Sequence, residues 1–183
     1  MKKHLFWTLI LLFLNLSCKQ KKTENSNRLD VKNEFVSRIH TTDLETDLYQ
    51  ILGKTSYVKH VSDFENVNWK TDYSKEFRSG TYNMPDIEVL SKIDSKYLSI
   101  SVAPDNHNPM LFQFIIGLGT HSETNNLKEP SRKVKIYLTE SQNEEIPKKL
   151  IAQFFERDFN KINIELSKLY LLDEIEDVYI NKK

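Results

Sequence analysis

The sequence predicts an α+β fold: an antiparallel sheet of five or six strands with helices packed on one face. Three observations carry that expectation. Residues 97–102 alternate, with Leu98, Ile100 and Val102 on one side and Ser99 and Ser101 on the other, as in a strand with one wet face. Residues 110–116 are almost all apolar, as in a central strand covered on both sides. Ile146, Leu150, Ile151, Phe154, Phe155 and Phe159 recur at helical spacing, a broad apolar stripe that has to pack on something.

The chain opens on a segment that belongs to no fold. Met1-Lys2-Lys3-His4 is positive, residues 5–14 are apolar apart from Thr8, and Asn15-Leu16-Ser17-Cys18 precedes a very polar stretch. A positive start, an apolar centre and a small residue before the cut are the parts of a secretory signal. The apolar run falls short of the roughly 20 residues a membrane-crossing helix needs. Leu16-Ser17-Cys18 resembles the lipobox of bacterial lipoproteins. Asn15 stands where that pattern favours an aliphatic residue, a relaxed form similar to signals of the Bacteroidetes group. The resemblance covers the first 18 residues. It implies a signal peptide over 1–17, a lipid of the palmitate type on Cys18, and a membrane anchor. Lys19 follows the cysteine, where an aspartate would resemble an inner-membrane retention signal. The resemblance therefore implies the outer membrane, and the lack of an acidic run after Cys18 implies its periplasmic side. Cys18 is the single cysteine, so lipidation accounts for a thiol with no intramolecular partner. The domain then has no disulfide and depends on its core.

Residues 18–27 are expected to form the lipidated cysteine and a flexible polar tether, and residues 28–183 a single α+β domain. Their length, about 165 residues after the cut, suits one domain that buries roughly 70% of its unfolded surface. The chain has 26 basic and 26 acidic residues, and loss of Lys2 and Lys3 leaves 24 against 26. That balance argues against nucleic acid as a partner, since phosphate binding relies on a basic face.

Residues 28–53 read as helix, with Phe35, Val36 and Ile39 on one stripe and Leu44, Leu48, Ile51 and Leu52 on another. Thr42-Asp43-Leu44-Glu45 fits a capping box, and Gly53 a helix stop. Residues 55–61, rich in β-branched and aromatic side chains, read as a strand. Ser62-Asp63-Phe64-Glu65 opens a short helical turn. Strands follow over 76–82, 87–93, 97–102, 110–116 and 133–138, with turns at Met84-Pro85-Asp86 and Asp94-Ser95. Ser141-Gln142-Asn143-Glu144 and Pro147 open the long apolar-faced helix. After Asn160, Ile162, Ile164 and Leu166 alternate like a strand, while Ile162, Leu166, Leu169 and Tyr170 also fit a helix. The β-branched residues and Asn163 favour the strand. Residues 173–177 close the chain as a short helix or loop.

The chemistry-bearing residues are sparse. His4, His40, His60, His107 and His121 show no i, i+4 pair, so no metal site is read. Asp105, His107 and His121 flank one strand, whose ends lie about 20 Å apart. Gly117-Leu118-Gly119-Thr120 lacks the lysine and the helix of a phosphate loop and reads as a turn. No Gly-x-Ser-x-Gly elbow occurs. No catalytic residue and no cofactor is therefore assigned. Loops on a rigid scaffold commonly carry binding, which makes Asp105, Asn106, His107, Asn108 and His121, in the 104–109 and 121–130 loops, the candidate binding residues. The expected function is that of a lipoprotein whose periplasmic domain is a non-enzymatic binding or accessory module, such as an immunity-type protein, with a protein or envelope component as partner. The alternative is an envelope hydrolase.

Overall fold

The computed structural model describes residues 35–46, 48–120 and 132–177, all within one compact unit, Val31–Lys183. Signal, Cys18, tether and His121 lie outside the described residues. The described residues form seven strands and four helices. In chain order these are β1 (Phe35–His40), β2 (Gln50–Lys54), α1 (Tyr57–Glu65), α2 (Trp69–Ser79), β3 (Asp86–Ser91), β4 (Lys96–Pro104), β5 (Phe112–Thr120), β6 (Arg132–Leu138), α3 (Glu145–Phe155), α4 (Phe159–Leu166) and β7 (Tyr170–Asp177). The strands make one antiparallel sheet of order β2-β1-β3-β4-β5-β6-β7. The fold is α+β, with seven strands where five or six were expected.

The expected helix over 28–53 is two strands in its described part. Phe35 and Ser37 point to the core and pair across from Ser91 and Val89. The helical stripe of Phe35, Val36 and Ile39 thus came from a short apolar run that also suits a pleat. Gly53 does not end a helix. It sits at φ +83° beside the register shift of the β1–β2 pairing, where a bulge needs a left-handed residue. The expected strand over 55–61 is α1: Ser56 caps Lys59 N at 3.4 Å, and His60 and Phe64, four apart, are its buried face. Ser62-Asp63-Phe64-Glu65 lies inside that helix instead of opening one. The expected strand over 76–82 is mostly α2, which buries Trp69, Tyr73 and Glu76 and stops at the left-handed Gly80.

The second half follows the same logic. Residues 117–120, expected as a turn, continue β5. A Cβ on Gly119 would come 2.5 Å from the Tyr97 ring, so the small residue makes room for that ring. Of the two readings after Asn160, the helix holds. Ile162 and Leu166 are buried in α4, while Ile164, inward in the strand reading, is exposed. Asp158 caps this helix through Lys161 N at 3.1 Å. The expected helix or loop at 173–177 is β7, paired along β6.

One face of the sheet carries the core. Ile87, Val89, Leu98, Ile100, Val102, Phe112, Phe114 and Ile116 are all buried, as the alternation in 97–102 predicted. The helices pack there through Phe64, Trp69, Tyr73, Leu150, Ile151, Phe154, Ile162 and Leu166. Edge-to-face rings join the layers, such as Trp69 on Phe114 at 5.5 Å. Among the described residues no helix is long and apolar enough to cross a membrane.

Candidate functional site

The opposite face of the sheet holds a polar cluster. Register places Arg38 and His40 of β1, Asp86 and Glu88 of β3, and Ser99 and Ser101 of β4 on that face, since their neighbours Ile39, Ile87 and Ile100 belong to the core. Arg38 pairs with Glu88 at 2.8 Å, and Glu88 is 1% exposed. Burying two charges is repaid only by close geometry and further hydrogen bonds. Arg38 also stacks over the Tyr49 ring, 4.4 Å from its centroid.

Asp86 accepts from Ser99 Oγ at 2.6 Å. Its Oδ1 is shut from solvent, and the Tyr49 hydroxyl is a second hydrogen-bond donor to the carboxyl. Burial pushes its pKa up to about 6, while the hydroxyls of Ser99 and Tyr49 and the charges of Arg38 and His40 pull the other way. A carboxyl held there is part neutral and part ionised near neutral pH. It can give or take a proton, which its unperturbed counterpart cannot do at that pH. Ser101 Oγ donates to Pro85 O at 2.7 Å, fixing the entry to β3.

His40, 5% exposed, holds the chain that leaves β1. Its Nδ1 lies 2.6 Å from Leu48 O and its Nε2 lies 3.0 Å from Asn83 Oδ1. Asn83 Nδ2 in turn donates to Leu44 O at 2.9 Å and to Thr42 O at 3.4 Å. Among the described residues no three His, Cys, Asp or Glu converge as metal ligands.

A serine–histidine pair does exist, on the other side. Ser37 Oγ is 2.8 Å from His60 Nδ1, but both residues are wholly buried between sheet and helices. Burial lowers the His60 pKa to about 4. A nucleophile and base need substrate access, and this pair has none in the closed core, so it works as core polar packing.

Of the sequence-based candidates, Asp105, Asn106, His107 and Asn108 lie apart from the cluster, in the turn between β4 and β5, and His121 is outside the described residues. Asp105 Oδ1 accepts from His107 N at 2.8 Å and Asn108 N at 2.9 Å, which holds its carboxyl below the usual range. Asn108 Oδ1 accepts from Met110 N at 3.1 Å. These two side chains shape the turn, and Asn106 and His107 are exposed on it. The sequence reading missed Arg38, His40, Asp86, Glu88 and Ser99. A signal existed in Ile87-Glu88-Val89, a charge inside an apolar alternation. It could be matched to Arg38 only if residues 35–40 were a strand. Comparison with known proteins adds no family to this geometry: no family model, no curated protein and no solved structure matches the chain.

Proposed function

We propose that this chain is an exported lipoprotein, anchored through Cys18 at the periplasmic side of the outer membrane, whose domain works as a protein-binding or accessory module. Export and anchoring rest on the signal-like residues 1–17 and the lipobox-like Leu16-Ser17-Cys18. Binding is supported chiefly by β7. Among the described residues it ends the sheet order, and Tyr170, Leu171 and Leu172 are 64, 47 and 48% exposed. Consecutive large apolar residues on an edge strand are a liability that soluble proteins usually remove. Where they persist they suit strand addition by a partner. The exposed Asn106 and His107 of the β4–β5 turn, and His121, are proposed as further contacts.

Crosslinking in the native envelope tests this reading. Leu171→Ser with Leu172→Ser is expected to abolish capture of a specific protein while leaving the melting temperature within a few degrees. Capture that survives those changes, and survives Asn106→Ala with His107→Ala, sinks the binding proposal.

A second reading, an envelope hydrolase, draws on Asp86 alone, the carboxyl pushed up to about 6 beside Ser99 and Tyr49. It requires turnover of an envelope substrate that disappears in Asp86→Asn.

A further inference from the structure

We infer that His40 is a doubly protonated pin, and that loss of one ring proton loosens the β1–β2 edge of the sheet. Leu48 O, 2.6 Å from Nδ1, is a carbonyl oxygen and only accepts. Asn83 Oδ1, 3.0 Å from Nε2, also only accepts, and the amide orientation is fixed independently. Asn83 Nδ2 faces Leu44 O at 2.9 Å and Thr42 O at 3.4 Å. Turning the amide over would set Oδ1 against those two carbonyls. Both His40 nitrogens therefore face acceptors. A neutral imidazole has one N–H and satisfies one of them, while the imidazolium satisfies both.

Water cannot easily substitute, because His40 is 5% exposed. A neutral ring would leave a nitrogen lone pair against an oxygen lone pair in a nearly dry place, a costly arrangement. The surrounding charges are mixed. Asp86 is the cross-strand partner of His40 on β3, and its carboxylate favours the cation. Glu76 of α2 accepts from Asn83 N at 3.3 Å and favours it at longer range. Arg38, on the same strand, opposes it but is paired with Glu88. Lys75 sits farther out, 3.5 Å from Asp43 and 3.3 Å from Thr42 Oγ1. The Tyr49 ring packs on the imidazole at 5.9 Å.

The consequence follows from what the pin joins. His40 and Asn83 together tie Thr42, Leu44 and Leu48 to the sheet. Tyr49, next in sequence to Leu48, carries its ring beneath Arg38. With one hydrogen bond lost and a repulsive contact in its place, β2 keeps its ladder to β1 and the Tyr49 contacts but loses its tie through Leu48. The fold thus contains a proton-dependent clasp at one edge, and the helix-covered core does not take part.

The test uses the full chain. Long-range proton–nitrogen spectra of the His40 ring should show both nitrogens protonated while the edge is closed. Across a pH series in which those spectra show one ring proton lost, amides of β1–β2 and of Leu44 and Leu48 should lose protection at least about tenfold relative to the β4–β5 ladder. His40→Gln should remove that step, and Asp86→Asn should keep it. A one-proton imidazole at a pH where the edge amides remain protected would falsify the inference. So would edge protection in the unaltered chain that stays constant across that series, or a step that survives His40→Gln and vanishes in Asp86→Asn.

Discussion

Ser37 and His60 meet across the sheet–helix interface, Oγ to Nδ1 at 2.8 Å, with neither side chain reaching solvent. Burial holds His60 down to about 4 from its ordinary 6.5, against the pull of Asp63, with Lys59 adding to the depression. The unfolded chain therefore binds a proton that the folded chain refuses between those two values. Stability should be full above about pH 6.5 and fall as pH drops through about 4. The slope is up to about 1.4 kcal/mol per pH unit, for a total near 3 kcal/mol. In urea unfolding the fall should appear as the difference between the unaltered chain and His60→Leu, the variant gaining on it as pH drops from about 6.5 to about 4.

Asp86 works in the opposite direction. Its carboxyl is raised from 3.8 to about 6, so the folded state holds the proton more tightly than the unfolded one. This contribution is favourable below about pH 3.8 and is lost as pH rises through about 6. By pH 7 an ionised Asp86 costs up to about 3 kcal/mol. Asp86→Asn keeps a partner for Ser99 Oγ and should stabilise the domain by that order at pH 7, with no gain at pH 4. Between about pH 4 and 6 these two contributions offset in the unaltered chain, and each variant tilts its profile its own way. Equal gains for Asp86→Asn at both pH values would show that burial of the charge is not the cause.

Phe154 and Phe155 separate core from margin on α3. Phe154 is 0% exposed and touches the rings of Phe35 and Phe159. Phe155 is half-buried, with its ring 4.5 Å from that of Phe35 and flanked by Tyr57 and His60. Phe154→Ala should cost about 3–5 kcal/mol, as full truncations in close-packed cores do, and Phe155→Ala clearly less. Similar losses for both in urea unfolding would mean that Phe155 is as deeply set as its neighbour.

Lipidation at Cys18 is open to direct measurement. Whole-protein mass spectrometry from the native host should show loss of residues 1–17 and a lipid-sized addition on Cys18. Cys18→Ser should release the protein into the soluble fraction. A variant that stays with the membrane removes the anchor assignment.

What the sequence determined by itself were the elements whose period is long and unmixed. The stripe from Ile146 to Phe159 can be satisfied only by helix, although the structure divides it, ending α3 at Phe155 and opening α4 at Phe159. The alternation through Leu98, Ile100 and Val102 can be satisfied only by a strand with one face on a core. Those two facts establish an α+β layer arrangement, and they held. Short segments carried both periods at once. Ile162, Ile164 and Leu166 alternate as a pleat would, which favoured a strand, but the tertiary structure made a helix there by burying Ile162 and Leu166 and exposing Ile164. Phe35, Val36 and Ile39 looked helical until pairing with β3 supplied the backbone partners that a strand needs. The polar cluster was further out of reach. Arg38 and Glu88 are 50 positions apart, and only sheet register brings them to one face. Local propensity extends over a few residues, whereas a charge pair between strands is created by pairing that the local sequence does not encode.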